Sequence, residues 1–298
     1  MDREIYISEL VSYLQEIKKN RKSTISDKKI HLRRFLEWLE NESLEVGNCT
    51  YADLLSYLKA LKQRGLKTNN INNHIHVVRQ LYESQIRLEK LEYNPAVNLK
   101  LRGEIERLPH DLLTEKELQN IYNTQPNETL AEKRDKVILG IFINQGLMRR
   151  EIERLETNDI DLEKGVIRIR ENVKLNERIL PLVTYQIMSL HNYLTQTRIQ
   201  LLKESEGEKR QVLFFNQTAN PTIKDHLRRF LRKLRKRHPE LKDFRQVRSS
   251  VISKWVKEKN VRESQYYAGF KSVNSVERYK KVDLRDLKMS LAKHHPLS

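Results

Sequence analysis

The sequence predicts a mainly α-helical protein, in which an all-helical domain precedes a mostly helical domain with a small antiparallel β-sheet. Apolar residues recur at helical spacing over most of the 298 residues, and only 8 Gly and 7 Pro interrupt the pattern. Abundant Lys, Glu, Leu, Arg and Ile also favour helix. Two short alternating stretches, residues 165–171 and 177–183, are the clearest strand patterns.

Four helices are predicted within residues 1–100, which we take as the first domain. The second helix places Leu32 and Leu39 on one face and is predicted to begin at Ser26, because serine is favoured at a helix start. The fourth is predicted to run over residues 69–91. Residues 101–111 contain glycine and proline and are predicted to link the two domains.

Capping residues mark two of the predicted helix starts. Thr50 is followed three residues later by Asp53, and Thr114 by Glu117, so each pair can form a capping box. Gly65 follows the third helix and is predicted to end it in the left-handed conformation.

The second domain, residues 112–298, is predicted to hold the sheet. Its apolar stretch 137–143 predicts a central buried helix. The alternating stretches 165–171 and 177–183 predict a hairpin, and the apolar run 212–215 predicts a further short strand. The rest of the domain is predicted to be helical to its end.

The charge of the chain is large and uneven. The formal net charge is +17, and residues 201–298 alone hold 25 Lys and Arg against 11 Asp and Glu. This concentration of positive charge predicts a polyanionic partner, and nucleic acid fits best.

No apolar run of about 18 residues is present, which argues against a transmembrane helix. The lone Cys49 and the acidic residues among the first 15 favour a cytoplasmic setting.

Common catalytic signatures are absent from the sequence. It has no Walker loop, no Gly-x-Gly-x-x-Gly, no His-Glu-x-x-His and no Gly-x-Ser-x-Gly. Asp159 and Asp161 lie on a predicted turn, and the nine histidines do not cluster at metal-ligand spacing. We therefore expect no cofactor and consider metal-free phosphoryl transfer, which needs a nucleophile and several cations around the phosphate.

The C-terminal quarter supplies both requirements. Arg245 and Arg248 lie three residues apart and therefore on one helical face. Tyr279 is flanked by Arg278 and Lys280. This part of the chain is predicted to hold a tyrosine nucleophile among cations.

These motifs resemble those of the tyrosine recombinase and phage integrase family, of the Xer and integrase type. The resemblance covers nearly the whole chain. "YADLLSYLKALKQRGLKTNNINNHIHVVRQLYE" is similar to the family's core-binding domain, "VKLNERILPL" to its lysine-bearing hairpin, "RQVRSSVISKWV" to its His-x-x-Arg box and "AGFKSVNSVERY" to its final, tyrosine-bearing box. The resemblance implies a four-helix SAM-like core-binding domain followed by a catalytic domain.

The resemblance also implies the roles of three side chains. Tyr279 would attack a DNA phosphate to form a 3′-phosphotyrosyl bond, Arg248 would bind that phosphate, and Lys174 would protonate the leaving 5′ oxygen. Lys174 could instead contact a phosphate in a DNA groove. Tyr266 and Tyr267 are rival tyrosines that precede the final box.

Three positions depart from the family's usual residues. Met148 stands at the first arginine position of "QGLMRREIERL", Arg245 at the histidine position of the His-x-x-Arg box, and Phe270 at a later His or Trp position. We expect Arg245 to supply charge without proton transfer, and Phe270 to act as a wall. Arg149, or less readily Arg150, is the candidate to replace the missing arginine; because one residue turns a helical side chain by about 100°, it would have to reach around the helix.

Five cations are expected to contact DNA, mainly at its phosphates. They are Arg228, Arg229, Arg232, Lys271 and Lys67. The first three belong to "HLRRFLRKLRKRH", which predicts a helix with a basic face. Residues 284–297 predict an amphipathic helix, which would pack on a neighbouring protomer or within its own chain.

Together these observations predict a site-specific DNA recombinase or integrase, of a mobile element, that works without metal or ATP. We expect double-stranded DNA as partner, a tetramer on paired sites and a place at the nucleoid. The alternative is a catalytically degenerate relative that binds DNA as an architectural or regulatory factor. A basic RNA-binding or ribosome-associated protein would explain the charge but not the spacing of Arg248, Gly269 and Tyr279.

Overall fold

A computed structural model describes residues 2–102, 111–204, 211–216 and 223–280. The chain divides into two compact units, Met1–Arg107 and Leu108–Ser298. Helices dominate both units, and the second also holds a three-stranded antiparallel sheet, which confirms the predicted fold class.

No helix in the described ranges is both long and apolar enough to cross a membrane.

Four helices build the first unit around one apolar core. They are α1 (Arg3–Glu16), α2 (Lys22–Asn41), α3 (Tyr51–Gln63) and α4 (Thr68–Arg87). Leu32 and Leu39 are fully buried on the inner face of α2, as their spacing predicts. Both backbone groups of Leu101 bond to the side-chain amide of Asn72 at 3.0 Å, so the first unit extends through Leu101. Residues 103–110 of the predicted linker lie outside the described residues.

The capping predictions are confirmed in both units. Thr50 Oγ1 accepts the backbone N–H of Asp53 at 3.3 Å, and the Asp53 carboxylate accepts that of Thr50 at 2.8 Å. Thr114 and Glu117 form the same reciprocal pair at the start of the second unit. Gly65 ends α3 with a φ of 75°.

Two predicted helix ends in the first unit are wrong. Helix α2 begins at Lys22 rather than at Ser26. Its additional turn carries Ile25, which lies seven residues before Leu32 and therefore packs into the core on the same face. Helix α4 ends at Arg87 instead of continuing to residue 91, and Glu89 has a left-handed φ of 56°.

The second unit packs its helices around the sheet and around a central apolar helix. The helices are α5 (Glu115–Asn123), α6 (Leu130–Gln145), α7 (Arg149–Ile152), α8 (Thr184–Asn192), α9 (Arg198–Glu204), α10 (Lys224–Arg237), α11 (Phe244–Glu258), α12 (Val261–Ala268) and α13 (274–280), and a π-helical turn, Tyr193–Thr197, joins α8 to α9. Residues 137–143 lie within α6 and are all buried, as predicted.

The sheet contains the predicted hairpin and one further short strand. Its strands β1 (Ile160–Asp161), β2 (Val166–Ile169) and β3 (Arg178–Pro181) pair in chain order. The predicted turn around Asp159 and Asp161 is therefore only partly right, because Asp161 pairs with Val166 of β2.

The predicted strand at residues 212–215 is wrong, since Val212 forms only an isolated bridge with Glu156. Side chains, and not a neighbouring strand, donate hydrogen bonds to three carbonyls of this segment. The donors are Arg198, Tyr193 and Arg134. The side chains of Leu213, Phe214 and Phe215 are buried, so the apolar run reflects burial in the core without strand pairing.

Candidate active site

Arg248 lies on α11 with only 5% of its surface exposed. Its guanidinium donates to the carbonyl oxygen of Gly146 at 2.5 Å and to that of Ala268 at 2.7 Å. These carbonyls end α6 and α12, and the C-terminal ends of helices favour a cation. The two helix ends therefore hold and orient the Arg248 guanidinium.

A second buried arginine, Arg178, opens β3 and pairs with Glu151 of α7. Arg178 Nη1 and Nη2 donate to the two carboxylate oxygens of Glu151 at 2.8 and 3.1 Å, a bidentate geometry. Arg178 Nε donates to the carbonyl oxygen of Tyr267 at 2.9 Å. The same carboxylate accepts the backbone N–H of Met148 at 2.7 Å.

The buried charges at this site do not balance. Arg248 Nη1 lies 3.9 Å from the Glu151 carboxylate, which Arg178 already engages. Burial lowers the pKa of Arg248 to about 10, and the nearby Glu151 carboxylate opposes that shift, so Arg248 is charged at neutral pH. Two guanidiniums thus face one carboxylate, and a buried excess positive charge favours an anionic ligand.

Tyr279 and Arg248 pack against the same ring, that of Phe270. The Phe270 and Tyr279 ring centroids are 6.4 Å apart and the rings are nearly parallel. The Arg248 guanidinium carbon lies 5.5 Å from the Phe270 ring centroid. Tyr279 lies on α13 and is only 4% exposed. The structure therefore brings these two predicted site residues together.

Lys174 is exposed at the tip of the hairpin between β2 and β3. The Asn172 side-chain oxygen accepts the backbone N–H groups of Lys174 and Leu175 and so shapes the tip. Leu175 forms a β-bridge with Phe270, and the Asn176 N–H donates to the Gly269 carbonyl at 2.8 Å. The backbone of Lys174 is thus next to the segment that precedes Tyr279.

The residues around the missing arginine are half-buried or exposed. Met148 precedes α7 with its side chain 37% exposed. Arg149 Nε lies 3.2 Å from the Glu153 carboxylate, one turn further along. Arg150 and, on α11, Arg245 are exposed. The phosphate-binding roles predicted for these arginines stay predictions, because the structure shows none of the three in contact with Arg248 or Tyr279.

The rival tyrosines take part in other contacts. The Tyr266 hydroxyl accepts the backbone N–H of Ile179 at 2.9 Å. The Tyr267 ring packs 4.9 Å from the Lys259 ammonium nitrogen and 5.5 Å from the Trp255 ring. Neither contact involves Arg248.

The predicted DNA contacts are all exposed cations. Arg228, Arg229 and Arg232 lie on α10, whose opposite face buries Leu227, Phe230 and Leu234. Lys271 directly follows Phe270, and Lys67 precedes α4 in the first unit. Within the described part of the chain, no cluster of three or more His, Cys, Asp or Glu could hold a metal ion.

Sequence reasoning missed Glu151 and Arg178. Inward-facing residues alternate along a strand, and Arg178, Leu180 and Leu182 share that period, so the pattern "RILPL" already placed Arg178 among buried leucines. A buried arginine requires an acidic partner. The partner itself lies 27 residues away, and no local pattern points to it.

Two family models match the sequence. The model described as "Phage integrase family" matches residues 111–285. The model described as "Phage integrase, N-terminal SAM-like domain" matches residues 7–88. Between them they cover parts of both structural units.

Full-length relatives and solved structures are similar to the chain. A protein named tyrosine recombinase XerC from Oceanobacillus iheyensis is 26% identical over 302 residues, which cover 98% of this chain and 96% of the relative. The structure of the XerH site-specific recombinase bound to a palindromic difH substrate aligns with a TM-score of 0.77 at 18% identity, over 96% of this chain and 84% of that one. The Tn1549 transposon integrase in complex with a circular intermediate DNA aligns with a TM-score of 0.66 at 16% identity, over 92% and 94% of the two chains.

Proposed function

This chain belongs to the phage integrase family, and from that premise we propose that it is a tyrosine recombinase that cleaves and rejoins DNA through a covalent bond to Tyr279. One observation carries the proposal: the buried excess charge at Arg248 and the phenol of Tyr279 both lie against Phe270. An anion receptor beside a nucleophile is what cleavage of a phosphodiester requires.

In the proposed cleavage step, Tyr279 Oη forms a bond to phosphorus and the P–O5′ bond breaks. The phenol proton passes to water, and the departing O5′ takes a proton from the Lys174 ammonium. Arg248 neutralises charge on the non-bridging oxygens as it builds up. Rejoining reverses the step with the 5′ hydroxyl of another strand, so the bond energy is kept and no nucleotide is hydrolysed.

The burial of Tyr279 adds a requirement to this step. Tyr279 is only 4% exposed, so DNA binding must uncover its hydroxyl before a phosphate can reach it. The packing of Tyr279 on Phe270 then describes the protein before DNA is engaged.

The partner and assembly follow from the chemistry of exchange. Recombination between two duplexes cuts four strands, and each Tyr279 can hold one strand end. We therefore propose a tetramer on two paired double-stranded sites, working on the DNA of a mobile element at the nucleoid, in the cytoplasm. The exposed cations of α10, with Lys271 and Lys67, would bind the DNA backbone.

Covalent capture tests the proposed activity. The tagged full chain is incubated with sheared genomic DNA of its host, denatured in detergent and recovered with any DNA that is covalently attached. Sequencing that DNA defines the site, and a duplex with a nick beside the cut then traps the adduct, because the short released strand diffuses away.

The expected result is an adduct with the wild-type chain and with Tyr266→Phe, and none with Tyr279→Phe. DNA binding without any adduct in the wild-type chain would contradict the proposal. That outcome would support the alternative, a degenerate relative that only binds DNA.

A further inference from the structure

The Arg178–Glu151 pair joins three segments that the cleavage step must hold in register. Arg178 belongs to the hairpin that carries Lys174, and Glu151 belongs to α7. Through Nε, Arg178 also holds the Tyr267 carbonyl at the end of α12, just before the segment that leads to Tyr279. Both charged side chains are at least 96% buried, with exposures of 0% and 4%.

Gly269 shows how closely the chain is built around Arg178. A Cβ at this position would lie 2.7 Å from Arg178 Nη1, closer than a Cβ approaches a non-bonded atom. Gly269 also has a φ of 71°, which glycine adopts without strain. The backbone that precedes Tyr279 thus passes directly against the guanidinium.

Backbone groups of the hairpin tip also pair with this segment, and on α12 the Tyr266 hydroxyl accepts the backbone N–H of Ile179. The Asn176 N–H donates to the Gly269 carbonyl, and Leu175 bridges Phe270. A slip of this pairing by one residue would turn Lys174 to the opposite face. The bidentate Arg178–Glu151 pair has only one good geometry, so together with the buried side chain of Leu175 it fixes the register.

We propose that Arg178 and Glu151 are positioning residues for protonation of the leaving group: their buried ion pair fixes the hairpin so that Lys174 reaches the 5′ oxygen of the phosphate held by Arg248. The inference rests on the proposed recombinase function. A buried ion pair adds little net stability over apolar packing, and its best-attested use is to specify one register.

A substrate with sulfur in place of the bridging 5′ oxygen separates positioning from mere stability. A thiol has a pKa of about 8.5, so a 5′ thiolate leaves without taking a proton. The probe is the nicked duplex built on the DNA that the wild-type chain captures covalently, made once with oxygen and once with sulfur at the cut. Single-turnover adduct formation and DNA affinity are measured for each variant of the full chain.

The main variants are Arg178→Met, which removes the guanidinium, and Glu151→Gln, which keeps the shape of the carboxylate and removes its charge. On the oxygen substrate we expect both to slow adduct formation by roughly 100-fold, the contribution typical of a general acid. On the sulfur substrate we expect rates close to that of the wild-type chain. Lys174→Ala should show the same rescue, and Arg178→Lys should retain part of the activity on oxygen.

Arg168→Met is the matched control. Arg168 lies on β2 of the same hairpin and pairs with Glu177, but both side chains are exposed. This variant should behave as the wild-type chain on both substrates. If Arg178→Met does not fold, Glu151→Gln and Arg178→Lys carry the test.

Three results overturn the inference while leaving covalent cleavage by Tyr279 intact. They are equal slowing of the folded variants on both substrates, undiminished rates on both, and failure of sulfur to rescue Lys174→Ala. If the wild-type chain forms no adduct on any DNA, the proposed function itself fails, and the two failures are thus distinguishable.

Discussion

Arg248 shows how single residues prepare this site for an anion. Its donors are turned to the carbonyls of Gly146 and Ala268, and the Glu151 carboxylate nearby is already neutralised by Arg178. The remaining charge is desolvated and unbalanced, which is costly for a protein with no ligand to bind. A phosphate at Arg248 would offset that cost.

A mutation of Arg149 can test whether this residue takes the role of the arginine that is absent at position 148. Its pair with Glu153 is half-buried, and Arg149 Nε and Glu153 Oε1 are themselves shielded from solvent, so a phosphate that draws Arg149 away must offset the loss of that pair. If Arg149 replaces the arginine absent at Met148, Arg149→Ala slows adduct formation on the nicked duplex roughly 10- to 100-fold. Met148→Ala, the matched control, should change the rate little. Equal rates for the two variants would rule out Arg149 as the replacement.

Spacing along the chain points to some candidate site residues and cannot point to others. Tyr279, Arg248 and Lys174 stand in motifs whose spacing is visible in the sequence, and the structure places their segments together around Phe270. Glu151 meets its partner only through the fold. A contact between distant segments leaves no local pattern, so residues of this kind escape sequence reasoning.

Among the elements, α10 is the clearest case in which sequence pattern and structure agree. Its apolar residues face the core and its basic residues face solvent, as the period of 3.6 requires. The run 212–215 is the opposite case, because an apolar run reports burial but not how the backbone is paired. Helix starts were predicted well where a capping box marks them, as at Thr50, and poorly where core packing alone sets the first turn, as at Lys22.

The contribution of α10 to DNA binding can be measured from its salt dependence. Each phosphate contact contributes about 0.9 to the slope of log affinity against log salt concentration. Replacing Arg228, Arg229 and Arg232 together with Gln should therefore reduce the slope on a short random-sequence duplex by up to about 3. The matched control removes the same charge from exposed lysines elsewhere in the unit. It is the triple variant Lys116→Gln, Lys164→Gln and Lys203→Gln. An equal reduction in both would show that total charge matters and that α10 does not.

The packing of α3 and α4 makes the first unit sensitive to acid. His74 is fully buried, with its Nδ1 3.0 Å from the Tyr57 hydroxyl and its ring 4.2 Å from that of His31. Burial, reinforced by the charges of His31 and Arg34, lowers the pKa of His74 to about 4. His74 is thus neutral in the fold, and its contribution to stability is present above the unfolded pKa of 6.5 and is lost as the pH falls towards 4.

We expect the free energy of unfolding of the first unit to fall by about 2 kcal/mol between pH 7.5 and pH 5 from this group. Denaturant unfolding of a Trp255→Phe chain measures it, because Trp38 then reports on the first unit alone. His74→Gln should remove most of this pH dependence, and His191→Gln, at an exposed position in the second unit, should not. If the His74→Gln chain keeps the same pH dependence of unfolding, that dependence comes from other groups.

For the whole molecule, positive charge is concentrated in the part of the chain to which we assign DNA cleavage. The excess of Lys and Arg is concentrated after residue 200, in the stretch that also carries α10, Arg248 and Tyr279. Composition therefore predicted the nucleic-acid partner that the proposed function requires, and helical periodicity predicted the fold class. Neither could predict the charge balance inside the site, which depends on how the folded segments meet.

Mapping the covalent bond tests most directly whether Tyr279 is the nucleophile. The adduct trapped on the nicked duplex is trimmed to a nucleotide remnant and digested with a glutamate-specific protease. Cleavage after Glu277 separates Tyr279 from Tyr266 and Tyr267. We predict that mass spectrometry finds the nucleotide on the peptide that begins at Arg278. A nucleotide on the peptide that contains Tyr266 and Tyr267, or no adduct from a chain that still binds DNA, would contradict the assignment.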